Sequence, residues 1–202
     1  MRRLTKQNSV FILDPEAQPA MTIFNGEELI VETWDAFQGE RDPKKLASNP
    51  PRGPATGQIS VSGARPGDSL RIDILDVKVI GDAVHWTGPG RGFLPNDFND
   101  HYVTHYRVEQ NEIVSEKGVR IPMKPSIGMI ATTPRVSRFT ASDSGIYGGD
   151  IDLPELTSGS TIFLPVLVPG ALLALGDCHA AVGDGAVAVS YTHLTLPTNR
   201  EV

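Results

Sequence analysis

Residues 176–185, GDCHAAVGDG, set Asp177, His179 and Asp184 among glycines and other small side chains. Carboxylate oxygen and neutral imidazole nitrogen are ligand types that suit zinc or a similar divalent ion. A separation of two places Asp177 and His179 on one side wherever the backbone is locally extended. The glycines let the chain approach an ion or a substrate closely. The same aspartates equally suit turn formation, accepting backbone N–H groups, and both readings stand at this point. Glycines disfavour a helix and carboxylates disfavour a strand interior, so the stretch reads as a backbone-tight loop. Cys178 then faces the core as a buried small thiol rather than a nucleophile.

Three further clusters could carry chemistry. In ETWDAFQGE, Glu32 and Trp34 alternate to one face and Asp35 falls at the strand's end, as a ligand, a general base or a turn former. In GGDID, Asp150 and Asp152 are spaced for one face behind a glycine pair, or sit in a solvated loop with an Asx-turn. His85, His101 and His105 form the last group. His101 and His105 share a face in a helix or a strand, and the surrounding NDFNDHYVTHYRVE looks strand-like. No His-Glu-x-x-His pattern occurs. Gly-x-Ser-x-Gly, Walker A and dinucleotide glycine signatures are absent too, and GPGRGF reads as a loop rather than a phosphate cradle.

The elements that must position these residues are mostly strands. The chain has 202 residues, 40% hydrophobic and 21% charged, enough for one substantial core. Its net charge of -6 argues against a nucleic-acid groove and against an anionic membrane surface. No apolar run approaches bilayer length, and MRRLTKQNSVFIL has no signal-peptide core, so a cytoplasmic protein is expected. With 20 glycines and 16 prolines, few windows are free of breakers for helix length. ELIVETW, QISVS, SLRIDILDVKV, SIGMIATT, TIFLPVLV and GAVAVS read as strands. Along SLRIDILDVKV the apolar positions change phase after Ile74, which predicts a bulge or a crossing between sheets. The best short helix is DPKKLASN. The expected class is mostly β, a β-sandwich or jelly roll, with one small α element. NPPRGPATG and HWTGPGRGFLPNDFNDHY are long loops of the kind that carry function. Residues 190–202, with THLTLPT inside them, resemble translated vector sequence, so the domain is expected to run over 1–189 and to be incomplete at its C-terminus.

LPVLVPGALLALGDCHAAVGDG resembles the signature of the acetamidase/formamidase family, which carries a Gly-Asp-x-His-Ala stretch followed by Gly-Asp-Gly. VETWDAFQGE, TGQISVSGARPGDSLRIDI, PMKPSIGMI and GGDID match further family motifs in the same order, so the resemblance spans nearly all of the chain before residue 190. It implies a metal-assisted amidohydrolase that acts on short amides such as formamide and acetamide, has a β-rich fold and assembles as a homo-oligomer. Carried over by position, it implies His179, Asp35, Asp184 and Asp152 as metal ligands and Asp35, Asp177 and Asp184 as catalytic carboxylates. Zinc is the expected ion, with calcium as the alternative. The sequence departs from the family in two places: Ala186 follows Gly185 where the family usually has glutamate, and Asp150 replaces an asparagine. Two other readings compete: a β-sandwich binding module with a structural calcium, and an inactive truncated amidase. Calcium takes six to eight oxygen ligands, so ligation by His179 separates the hydrolase from the module.

Overall fold

The computed structural model describes residues 1–48, 53–91, 94–140 and 143–183. Strands dominate, and the α-helix among these residues is the six-residue Pro43–Ser48, inside the predicted DPKKLASN. Asp42 starts it by accepting the Lys44 N–H on its side chain.

The central sheet runs in the order Ser144–Gly145, Gly148–Asp150, Ser126–Ala131, Leu173–His179, Ala55–Val61, Ser9–Val10, with Met21–Ile23 also pairing with Ala55–Val61. Its middle strands are antiparallel, Ser126 facing His179 and Ala131 facing Ala174. One face packs Ile59, Ile127, Ile130 and Leu173 with Leu4, Ile74, Leu156 and Leu164. Leu4 and Leu164 belong to strand pairs outside the sheet, parallel Arg2–Leu4 with Leu29–Val31 and antiparallel Ser69–Asp73 with Thr161–Pro165, and Ile74 and Leu156 to connecting segments. Met129, Ala131, Ala55 and Ala174 pack with Leu13 and Tyr147 in a second cluster. Each fully buried leucine or isoleucine contributes about 1.5–3 kcal/mol, so this layering is what holds the middle strands in place. The structure is mostly β and sandwich-like, as the sequence leads one to expect.

A four-stranded antiparallel sheet, Ala83–Thr87, Tyr102–Glu109, Glu112–Ser115 and Arg120–Pro122, stands as a separate unit of pairing. It leads directly into the central sheet, since Arg120–Pro122 is followed by Ser126–Ala131.

Two expectations are corrected. Residues 176–179 are not loop: the strand Leu173–His179 continues through Gly176 and Asp177. Gly176 is there because a Cβ would lie 2.4 Å from the Pro54 carbonyl oxygen, so the glycine serves a close approach of backbones rather than a turn. The second concerns SLRIDILDVKV. Ladder pairing stops at Asp73, one residue before the phase change, so the alternative of a bulge within the paired strand does not hold. Ile74 remains buried and its N–H bonds to Ser160, while Leu75 turns to solvent. Asp184, Ala186, the GAVAVS segment and the 190–202 tail lie outside the described residues.

Candidate metal centre

Asp177 and His179 come from the end of one central strand, and Asp152 lies two residues beyond another, Gly148–Asp150. The strand Ser126–Ala131 runs between these two. Asp177 has φ +46° and Asp152 φ +43°, left-handed conformations that cost a non-glycine residue energy and cluster at functional sites. At Asp177 the strand is also re-aimed. Leu173, Leu175 and then Cys178, one residue out of phase, all pack against the same apolar cluster.

The result is convergence. One ligand atom from each of Asp152, Asp177 and His179 lies within 4.8 Å of the other two, and among the described residues this is the only set of three such groups. His179 Nε2 stands 3.7 Å from Asp152 Oδ1. The Asp152 side chain is 4% exposed, and its Oδ1, like His179 Nδ1, is buried with no hydrogen-bond partner among the described residues. The hydroxyl of Ser126, paired across the strands with His179, is likewise buried and unpartnered.

The electrostatics follow from crowding two carboxylates in a dry place. Burial pushes the Asp152 carboxyl up to about 6, His179 opposing the shift and Asp177 adding to it. Asp177 is raised chiefly by burial, with His179 again opposing and Asp35 adding repulsion. Taking an ionised carboxylate out of water costs several kcal/mol unless a counter-charge meets it, more than one core leucine contributes. Carboxylate oxygens from two aspartates and an imidazole nitrogen are a donor set for a divalent ion. The imidazole favours a zinc-like ion over calcium. The residues present therefore fit a divalent cation.

The remaining sequence candidates fall around this centre or away from it. Asp35 is outside the three-residue set but close enough to repel the Asp177 carboxylate. It pairs with Arg41 at 3.0 Å and accepts the Phe37 N–H at 2.8 Å, so it also forms the turn. Its segment is docked on the sheet by Thr56, which donates to the Glu32 carbonyl. Glu32 itself is tied to Arg3. Asp150 is buried in its strand, its N–H bonded to the Asp143 carbonyl. Cys178 packs on the core, as expected, and burial pushes its thiol up to about 11. His85 and His105 lie in the four-stranded sheet, where Thr104 faces His85 and His105 faces Val84. The two histidines thus point to opposite sides. His101 stacks on Trp86 instead.

Sequence reasoning passed over Ser126 and Gly128 as site residues, although both stand in the PMKPSIGMI motif. Nothing in their types marks them. Only the strand pairing shows what they face.

Comparison with known proteins agrees with this architecture. The profile of the Acetamidase/Formamidase family matches residues 4–142 and 139–193. An acetamidase from Bacillus halodurans superposes with a TM-score of 0.86 at 38% identity, over 92% of this chain and 64% of that one. An acetamidase from Mycolicibacterium smegmatis is 26% identical over 86% of this chain and 60% of its own length. A formamidase from Methylophilus methylotrophus is 25% identical over 65% of this chain and 46% of its own. The chain thus spans less than two thirds of the length of these relatives. By the match of the family profile along almost its whole described length, the chain belongs to the acetamidase/formamidase family.

Proposed function

We propose that this chain carries the metal centre of a hydrolase that cleaves short linear amides, formamide and acetamide, to carboxylate and ammonia. The observation that carries the reading is the convergence of Asp152, Asp177 and His179, with Asp152 Oδ1 and His179 Nδ1 buried and without a hydrogen-bond partner among the described residues. Family membership and relatives named acetamidase and formamidase support the substrate class. Asp152, Asp177 and His179 would hold the ion, zinc by the donor set. Bound there, a divalent ion supplies Lewis acidity, which polarises an amide carbonyl and acidifies water.

The chain's own residues do the rest. Asp177 and Asp152, once ionised, would supply the negative charge that holds the cation. Asp35, at the rim and oriented by Arg41, accepts a proton from the attacking water. The C–N bond breaks as that proton passes to the leaving nitrogen, which departs as ammonia. Asp184, five residues beyond His179, is the second carboxylate available for this transfer. Homo-oligomeric assembly and a cytoplasmic location belong to the same proposal. The exposed pair Ile12 and Phe139, joined across two short strands beside exposed Phe11, supports an interface between copies.

The test is ammonia release from formamide and acetamide by the zinc-loaded chain. Zinc-dependent release that disappears in His179→Ala is the expected result. A folded, zinc-loaded protein that releases nothing from either amide would overturn the hydrolase reading.

A further inference from the structure

We infer that Gly53 and Gly128 are positioning residues of the metal centre, two absent side chains on the strands either side of Asp177 whose empty space the ligands occupy. The inference rests on the metal-centre reading and adds residues whose types alone point to no chemistry.

The strand that ends in Asp177 and His179 lies between Ser126–Ala131 and Ala55–Val61. Gly128 stands on the first of these, and Gly53 lies just ahead of the second. A Cβ at Gly128 would lie 2.4 Å from His179 Cε1, 2.4 Å from the Asp177 carbonyl oxygen and 2.7 Å from Asp152 Oδ1. One missing methyl group is thus the volume that abuts all three ligand residues. The Gly128 carbonyl also accepts the N–H groups of Ile151 and Asp152, both at 3.0 Å. That bifurcated contact fixes Asp152 in its left-handed conformation and turns its carboxylate inward.

On the opposite side, a Cβ at Gly53 would lie 3.0 Å from Asp177 Cγ and 3.2 Å from Oδ2. Gly53 is itself anchored, because the buried Thr140 hydroxyl donates to its carbonyl at 3.1 Å. The two positions differ in a useful way. A side chain at 128 meets backbone and all three ligand residues. A side chain at 53 has the Asp177 side chain as its nearest neighbour, and that side chain can move by a few tenths of an ångström without disturbing the strand. Groups that orient metal ligands commonly change affinity by about 10–100-fold when altered.

The experiment titrates Co²⁺ into the metal-free chain, wild type and the variants Gly128→Ala, Gly53→Ala and His179→Ala, reading the visible absorption bands of the bound ion. Far-UV circular dichroism and the metal-free Tm are measured in parallel. Wild type binds Co²⁺, and His179→Ala does not. Gly128→Ala loses about 100-fold in affinity, and Gly53→Ala about 10-fold with an altered absorption envelope and an unchanged metal-free Tm. If Gly128→Ala fails to fold, Gly53→Ala decides: unchanged affinity and spectrum overturn the inference. Wild-type affinity in both glycine variants overturns it while leaving the metal centre standing. No Co²⁺ binding by the wild type overturns the metal-centre reading and the inference with it.

Discussion

The central sheet and the four-stranded sheet both bear histidine within a few residues of carboxylates, yet they treat these groups in opposite ways. In the four-stranded sheet His105 lines an open groove with Asp82, Arg107 and Glu116, and the acids of that sheet are taken up by arginines. Glu109 and Glu112 both pair with Arg120, at 3.2 and 2.8 Å. His101 lies flat on Trp86, whose other contact is the Arg91 guanidinium 3.9 Å from the ring centre. In the central sheet no arginine or lysine among the described residues pairs with Asp152 or Asp177, and the opposite charge beside both is His179. What separates the proposed metal centre from a charged surface is therefore that, among the described residues, its acids lack a competing basic side chain. The central sheet achieves this by burying the acids between strands that approach closely at glycine.

The sharpest way to break that comparison is to swap histidines. His179→Ala is expected to lower zinc affinity by more than about 100-fold, measured by competition with a chromophoric chelator. His105→Ala, on the surface sheet, leaves zinc affinity unchanged in the same assay.

Next in size is the effect of the buried acid on the metal-free fold. The folded-state pKa of Asp152 lies near 6, above the unfolded value of 3.8, so the folded chain holds a proton that the unfolded chain releases. Stability of the metal-free chain therefore falls as pH rises between about 4 and 6, then levels off as far as this group is concerned. Asp152→Asn removes the penalty. It is expected to raise metal-free stability at pH 7 by on the order of 1–3 kcal/mol, while abolishing tight zinc binding. Urea unfolding at pH 4.5 and pH 7 checks both statements, since the gain should shrink at the lower pH.

A smaller effect concerns the thiol between the two ligands. Cys178 is pushed to about 11 by burial, against 9.0 for an ordinary thiol, so little thiolate exists near neutrality. Alkylation by iodoacetamide at pH 8 should run at least about 10-fold slower in the folded chain than in urea. Tyr147, its phenol pushed to about 12 by burial, gives the smallest signal. Its absorbance change on ionisation should be missing from a titration that stops at pH 11 and should appear on unfolding.

The sequence shows the residue types of the centre and leaves their meeting unresolved. Ser126–Ala131 and Thr161–Pro165 fall inside predicted strands because β-branched, apolar runs between turn residues have few other choices. The short helix was legible as a stretch that ends ahead of the proline pair at 50 and 51. Asp177 and His179 stood out by spacing, but the glycines beside them read as loop because a glycine in a strand is explained only by what the neighbouring strand brings near. The same reason hides Gly53 and Gly128. Asp152 was visible as an acid behind a glycine pair, and its approach to His179 depends on the Gly128 carbonyl of the adjacent strand. Asp35 was expected among the ligands. It stands outside the group of three and pairs with Arg41 in the turn that it organises, close enough to repel Asp177.

The central claim is tested most directly by zinc-edge anomalous diffraction from crystals of the chain grown with equimolar zinc. The account predicts one strong anomalous peak per chain, at about 2.0–2.2 Å from oxygens of Asp152 and Asp177 and from a ring nitrogen of His179. A chain with no peak there, or with its peak at His101 or His105, would contradict it.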